Sequence, residues 1–193
     1  MGPSAEKKDE LFTYGDYLTW DDDERWELID GVAYNMTPAP SRFHQQVSGD
    51  LFRQLANYFL EKSCKVYAAP FDVRLPEGDE AEEAVRTVVQ PDISVICDQS
   101  KLDDKGCKGS PDLIVEILSP STARKDMKEK FVRYERAGVK EYWIVDPSGK
   151  IVTVFKLSSA GLFGRPDVYG KEERIKISIV EGLEVELLSV FEE

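Results

Sequence analysis

Apolar residues at helical spacing mark two segments of the chain. One stripe recurs every three or four positions, at Val47, Leu51, Leu55 and Tyr58. It predicts a helix over residues 41–62 with a single buried face. The segment "SPSTARKDMKEKFVRYERAG", residues 119–138, predicts a second helix that ends at Gly138 in a left-handed cap. A short capped helix is predicted near residues 13–20.

Between these helices lie short apolar runs bounded by turn residues. "RWELIDGVAYNM" places two such runs on either side of Asp30-Gly31, which predicts a β-hairpin. Further strands are predicted within "KVYAAPFDVRLP", "TVVQPDISVIC", "SPDLIVEIL" and "KEYWIVDPSGKIVTVFKL", and a last strand with a short helix follows from residue 174. "EGDEAEEAVR" predicts a mobile acidic loop. This order of elements is typical of an α/β (α+β) fold, with helices flanking one mixed sheet.

Length and composition predict one domain. A chain of 193 residues with 41% hydrophobic residues can build one substantial core. We assign residues 1–24 to a polar N-terminal segment and residues 25–193 to the single domain. The start lacks the apolar stretch of a signal peptide, and no run approaches the roughly 18 apolar residues of a membrane span. We therefore expect a cytoplasmic protein with no membrane partner, and reduced thiols at Cys64, Cys97 and Cys107.

The net charge of −12 argues against general affinity for nucleic acids, because phosphate neutralisation requires a basic surface. A DNA-binding protein of this composition would need a locally basic groove. The candidates for it are Arg42, Arg53, Arg74, Arg124, Lys125 and Arg133. Clustered carboxylates, in contrast, suit a divalent cation. A single histidine excludes HExxH and any zinc-ligand spacing with the three cysteines.

The strand "PDLIVEILSP" contains a carboxylate, Glu116, among apolar residues. A buried, unpaired carboxylate is costly, so Glu116 requires a partner. With a period of two along each strand, Asp92 and Glu116 converge if their two strands pair. Two carboxylates there would form a hard-oxygen site for Mg²⁺ or Mn²⁺. The alternative is a salt bridge from Glu116 to a lysine or arginine on the following helix, and the spacing alone favours neither.

Several of these motifs together resemble a known superfamily. "QPDISVI", "PDLIVEILSPST", the D…K…Y of Asp126, Lys130 and Tyr134, and "AGVKEYWIVDP" are similar to motifs of the PD-(D/E)XK nucleases, in particular the Uma family of restriction-endonuclease-like proteins. "ELIDG" and "TPAPSRFHQQVSGDL" belong to the same resemblance, which extends from about Trp26 to Leu188. It implies a restriction-endonuclease-like core, with Asp92 and Glu116 as metal ligands. Asp126 and Tyr134 become candidates for lining the site.

The sequence departs from the superfamily pattern at Leu118, where a lysine is expected two residues after Glu116. On a helical wheel, Met127, Phe131 and Tyr134 define the buried stripe of the second helix. Lys130 lies at its margin, whereas Lys125 and Lys128 face solvent. Lys130 is therefore the predicted replacement, and the alternative is a surface ion pair between Asp126 and Lys130.

Two further residues are candidates for lining the site. His44 faces inward from the first helix, where it could orient water or phosphate, or serve as a core residue or helix-start contact. Glu27 alternates with Ile29 in the hairpin and could add a third carboxylate, or remain a solvated charge.

Together these features favour a Mg²⁺-dependent endonuclease, with Mn²⁺ as a substitute ion and DNA as the substrate. Asp92, Glu116 and Lys130 would be catalytic, and relatives with this fold suggest a homodimer. Two alternatives stay open: a non-catalytic binding or scaffold protein that retains the fold, and a metal-dependent hydrolase of another substrate.

Overall fold

The structure, a computed structural model, describes residues 10–20, 24–36 and 39–192 together with the backbone of residues 6–7. Its helices are α1 (Tyr14–Tyr17), α2 (Arg42–Phe59), α3 (Phe131–Ala137) and α4 (Leu187–Val190). A π-helical segment, Lys125–Lys130, leads directly into α3, and 3₁₀ turns occupy Glu82–Ala84 and Gln99–Lys101.

The strands are short and occur in runs between these helices. They are β1 (Glu6–Lys7), β2 (Trp26–Ile29), β3 (Val32–Asn35), β4 (Lys65–Ala68), β5 (Val73–Arg74), β6 (Val88–Val89), β7 (Ile93–Ile96), β8 (Leu102–Asp103), β9 (Gly106–Lys108), β10 (Leu113–Ile117), β11 (Glu141–Asp146), β12 (Ile151–Lys156), β13 (Asp167–Gly170), β14 (Arg174–Lys176) and β15 (Glu184–Glu186).

The strands of the described residues form two large sheets and a small hairpin. One sheet has the order β13-β12-β11-β10-β7-β4, the other β1-β3-β2-β6-β5-β9-β8, and β14 pairs with β15. Pairing is antiparallel except for β10 with β11 and β5 with β9, which are parallel. The sheets are therefore mixed, as predicted for an α+β fold.

The six-stranded sheet is covered on both faces. On one face, Ile93, Val95 and Val115 pack with the inner side of α2. On the other, Ile114 and Ile96 pack with α3 and with apolar residues of the second sheet. Because side chains alternate along β10, Glu116 points to the same face as Ile114, into the space between α3 and the two sheets.

Several local predictions are confirmed. Asp30 and Gly31 both have positive φ, 56° and 79°, as a two-residue hairpin turn requires. Gly138 ends α3 in the left-handed conformation with φ 85°. Thr13 caps α1 in a capping box with Asp16. Of the predicted N-terminal segment, residues 1–5, 8–9 and 21–23 lie outside the described part of the chain.

The predicted face of the second helix is wrong at its start. Met127 was assigned to the buried stripe but is 59% exposed, whereas Asp126 and Lys130 are both 2% exposed. The π-helical segment explains the difference, because its wider turn shifts the phase of the side chains relative to an α-helix. The surface ion pair considered for Asp126 and Lys130 is excluded by the same burial.

One further expectation stays a prediction, and another is wrong. The mobility of the acidic segment at 77–86 stays a prediction, and this segment contains a 3₁₀ turn in which Glu82 pairs with Arg74 and Lys105. Cys64 and Cys97 were predicted as reduced thiols, but they lie next to the ends of the paired strands β4 and β7 and form a disulfide. Cys107 is a free, buried thiol.

Among the helices of the described residues, none combines the length and apolarity needed to cross a membrane.

Candidate active site

The predicted pairing of the two central strands is confirmed. β7 and β10 are antiparallel, and Ile93 is opposite Val115. Asp92 and Glu116, one residue further along, are therefore opposite each other. Asp92 precedes the strand, and its Oδ2 accepts a hydrogen bond of 2.7 Å from the backbone N–H of Ile117. Both carboxylates line one cavity of about 490 Å³.

Glu116 is held in this cavity by two donors. Its Oε1 accepts hydrogen bonds from Lys130 Nζ at 2.8 Å and from the Tyr134 hydroxyl at 2.6 Å. Burial raises the pKa of Glu116 to about 8, against the effect of the Lys130 ammonium and with further contributions from the charges of Asp126 and Asp92. The carboxylate therefore lies in a site that is short of positive charge.

Lys130 is surrounded by carboxylates. Its Nζ lies 2.6 Å from Glu27 Oε1, 2.8 Å from Glu116 Oε1 and 3.7 Å from Asp126 Oδ1. Burial alone would lower its pKa, but these three carboxylates raise it well above its usual value. Lys130 is thus a protonated donor at neutral pH.

Asp126 is the least well satisfied of these groups. It is 2% exposed, and its Oδ1 has no hydrogen-bond partner among the described residues. Burial raises its pKa. Its backbone carbonyl accepts from the Tyr142 hydroxyl at 3.0 Å, which fixes the π-helical segment on the sheet.

Glu27 is completely buried rather than solvated. Its Oε2 pairs with Lys125 Nζ at 2.6 Å, and its Oε1 accepts from the backbone N–H of Gln90 at 2.9 Å. Burial opposes ionisation, but the ammonium groups of Lys130 and Lys125 lower the pKa of Glu27 to about 2. Lys125, predicted to face solvent, therefore belongs to the cluster, because the π-helical segment contacts β2, and a helical wheel contains no such contact.

His44 also lies in the cavity. Its Nε2 is 3.0 Å from the carbonyl oxygen of Ile117 and 3.5 Å from Asp92 Oδ2. Burial would lower the pKa of His44, but the hydrogen bond to Asp92 and the Asp92 charge raise it. Its ring therefore contacts the two paired strands, and a role in orienting water or phosphate stays a prediction.

The predicted basic groove is mostly absent from the described surface. Arg74 is buried against Glu82 and Asp103, Arg53 pairs with Asp50, and Arg133 pairs with Asp30 and Glu77. Arg124 and Lys125 line the cavity.

Arg25 also lines the cavity, and sequence reasoning missed it. The signal was present, because Arg25 lies two residues before Glu27, on the same face of the predicted strand.

A divalent cation fits the donor set. No group of three or more His, Cys, Asp or Glu side chains in the described ranges is arranged to hold a metal ion by itself. Mg²⁺, however, is commonly bound by one or two carboxylates, with water and substrate phosphate completing its shell. Asp92, Glu116 and the Ile117 carbonyl supply such hard-oxygen ligands. The carbonyl oxygen has two lone pairs, so it can accept from His44 and coordinate a cation.

The sequence matches a family model over nearly its whole length. The model of the Uma2 family, described as "Putative restriction endonuclease", matches residues 14–190. The chain belongs to the Uma2 family. The resemblance found in the motifs around Asp92 and Glu116 is thereby confirmed.

Relatives of this Uma2 protein include one curated sequence and one solved structure. The uncharacterized protein slr1290 of Synechocystis sp. is 25% identical over 149 residues, which are 76% of this chain and 74% of the relative. A crystal structure of "a putative nuclease belonging to DUF820" from Anabaena variabilis is 16% identical, with a TM-score of 0.73. The match covers 93% of this chain and 97% of that chain. The fold is therefore restriction-endonuclease-like.

Proposed function

We propose that this Uma2 protein is a Mg²⁺-dependent endonuclease that hydrolyses phosphodiester bonds in DNA. One observation carries the proposal: Lys130, from the π-helical segment, lies 2.8 Å from Glu116, although the superfamily position for a lysine is Leu118. A carboxylate pair and an ammonium group thus share one cavity, although the lysine comes from the π-helical segment and not from the strand that carries Glu116.

The charge balance of the cavity floor supports a divalent cation. Four carboxylates, those of Glu27, Asp92, Glu116 and Asp126, lie with the two ammonium groups of Lys125 and Lys130. When all six are ionised, four negative and two positive charges leave a surplus of two negative charges. Asp92, Glu116 and the Ile117 carbonyl would hold the ion. Bound Mg²⁺ would polarise the scissile phosphate and lower the pKa of a water molecule.

The protein groups then have separable roles. Lys130 is protonated, so it would donate to the attacking water or to a phosphate oxygen and offset the charge that develops in the transition state. A role as general base, in which it would have to be neutral, is disfavoured by its raised pKa. Tyr134 would keep Glu116 oriented through its 2.6 Å hydrogen bond.

DNA is the proposed substrate because the description of the Uma2 family is "Putative restriction endonuclease". A homodimer would allow two such sites to act on the two strands of a duplex. The remaining sequence alternatives, a scaffold that retains the fold and a hydrolase of another substrate, become outcomes of the test.

The test combines metal binding with cleavage. We expect calorimetry to detect Mg²⁺ or Mn²⁺ binding in the millimolar range or tighter, and supercoiled plasmid to be nicked only when the ion is present. Asp92→Asn should abolish both, whereas Asp50→Asn, which alters a surface pair with Arg53, should change neither. Absence of metal binding would refute both enzyme functions. Metal binding without nicking would indicate another substrate.

A further inference from the structure

Arg25 differs from most of the other arginines of the described residues in its partners. Its Nε and Nη2 both donate to Gln90 Oε1, at 3.0 and 2.6 Å, and it forms no ion pair within the described ranges. The amide oxygen is neutral, so it positions the guanidinium without cancelling its charge. Of the five N–H donors of an arginine, three remain for a ligand. Arg53, in contrast, is neutralised by Asp50.

Gln90 has only one orientation compatible with its neighbours. Its Nε2 donates to Asp72 Oδ1 at 2.8 Å and to the Tyr17 hydroxyl at 3.3 Å. If the amide were flipped, its NH₂ group would face the donating guanidinium of Arg25 and its oxygen would face the accepting carboxylate of Asp72, so both hydrogen bonds would be lost. Gln90 is 8% exposed, and the Tyr17 hydroxyl also donates to Asp72 at 3.2 Å. The acceptor that holds Arg25 is therefore itself fixed by a partly buried network.

The same residue joins Arg25 to the cluster at the cavity floor. The backbone N–H of Gln90 donates to Glu27, which in turn pairs with Lys130. Arg25 and Glu27 are two residues apart in an extended segment, so they lie on one face and about 7 Å apart along the chain. Arg25 thus lines the same cavity as Asp92 and Glu116 but is bound to Gln90 and not to the carboxylates of the proposed reaction centre.

The charges in the cavity explain why a cation at Arg25 would matter for binding a ligand. The ammonium groups at the floor are already paired with carboxylates, so a polyanionic ligand needs a cation that is still available. Arg124 also lines the cavity, but its Nε lies 3.7 Å from Glu129 and its side chain is 81% exposed, without a comparable anchor. Planar guanidinium groups match phosphate oxygens well.

We infer that Arg25 binds a backbone phosphate of DNA that flanks the scissile phosphate, and that Gln90 is a positioning residue that aims it. This inference rests on the proposed function for its substrate, but it concerns binding and not the chemical step. It predicts that loss of Arg25 raises KM and leaves kcat at saturating DNA nearly unchanged.

Binding measured without cleavage tests the inference. A fluorescently labelled duplex is titrated with the full chain by anisotropy, with Ca²⁺ in place of Mg²⁺. Arg25→Ala should weaken binding about 5- to 20-fold and reduce the slope of log K against log salt by about 1, the change expected for one lost phosphate contact. Arg53→Ala, at an exposed arginine outside the cavity, should change binding less than twofold.

A double-mutant cycle separates positioning by Gln90 from a structural role. Gln90→Ala should weaken binding about 3- to 5-fold, and the double variant with Arg25→Ala should bind no worse than Arg25→Ala alone. Additive losses would mean that Gln90 acts independently of Arg25.

The outcomes of the two proposals differ. A wild-type chain that binds DNA without cutting it would refute the nuclease function, and the effect of Arg25→Ala would still decide the inference. Unchanged binding by Arg25→Ala would overturn the inference alone. No binding by the wild type would overturn both.

Discussion

Two buried cations of this protein, Lys130 and Arg74, are each held by carboxylates but in opposite surroundings. Arg74 is fully buried, while its partners Glu82 and Asp103 have side chains that are 27% and 43% exposed. The side chains of Glu27 and Glu116, the partners of Lys130, are 0% and 5% exposed. Water can therefore solvate the anions around Arg74 but hardly those around Lys130.

The pKa values of the carboxylates, apart from that of Glu27, follow this difference. A hydrogen bond from Lys105 lowers the pKa of Glu82. Although burial opposes it, the hydrogen bond from Arg74 lowers the pKa of Asp103. In the Lys130 cluster, burial raises the pKa of both Glu116 and Asp126, whereas the ammonium groups of Lys130 and Lys125 outweigh burial at Glu27 and lower its pKa. Burial of a cation is therefore compatible with a purely structural role, whereas buried carboxylates with raised pKa values, open to a cavity, indicate a site for chemistry.

The largest difference is expected in activity. Lys130→Ala should lower the rate of plasmid cleavage by about 10²–10⁴, the range for loss of a positioned donor, while Mn²⁺ affinity in calorimetry stays nearly unchanged. Lys130→Arg should not restore cleavage, because a wider guanidinium does not fit a site that is 2% exposed.

Lys128→Ala is the matched control, since that side chain is exposed on the same segment. It should cost less than about tenfold, and high salt should reduce its effect but not that of Lys130. Equal losses from both changes would indicate a diffuse basic surface and remove the special role of Lys130.

The same substitution at both cations tests the comparison on stability. Lys130→Met leaves Glu116 buried without its cation and Glu27 with Lys125 alone, so the free energy of unfolding in urea at pH 7 should fall by about 3–5 kcal/mol. Arg74→Met should cost less than about 1 kcal/mol, because Glu82 and Asp103 reach water and the Nε of Arg74 has no hydrogen-bond partner among the described residues. Similar losses at the two positions would contradict the distinction.

Much of this site could be predicted from local sequence, for identifiable reasons. Strand alternation and one register are enough to bring Asp92 and Glu116 together, and Gly138 fixes the end of α3. The displaced lysine could be proposed because, among the lysines of the second helix, Lys130 lies nearest the buried stripe on a helical wheel.

The rest depended on contacts between distant elements. The π-helical segment changed the helical phase, so Met127 was wrongly placed inside. Lys125 was placed in solvent because its partner, Glu27, belongs to β2 of the seven-stranded sheet. The approach of the π-helical segment to that sheet is fixed by the packing of the whole core and has no signature in a single helix.

The smallest expected effect concerns Glu116 and pH. Its pKa is about 8 in the folded protein, above its ordinary value of 4.5, so the folded state retains a proton that the unfolded chain releases between these values. This group therefore makes the metal-free protein less stable as the pH rises from about 4.5 to about 8. Glu116→Gln removes that dependence and keeps an oxygen that can accept from Lys130 and Tyr134, while Lys130 retains Glu27. At pH 8 without metal, the variant should be more stable than the wild type by about 1 kcal/mol, which corresponds to a melting temperature roughly 2–4 °C higher. This difference should vanish near pH 4.5. Added Mn²⁺ should stabilise the wild type but not the variant.

Glu82→Gln, in the Arg74 cluster, should give no gain at pH 8, because the pKa of Glu82 is lowered and its charge is already favourable. A variant at Glu116 that melts well below the metal-free wild type would mean that this carboxylate is a structural partner of Lys130, and the two clusters would then be of the same kind.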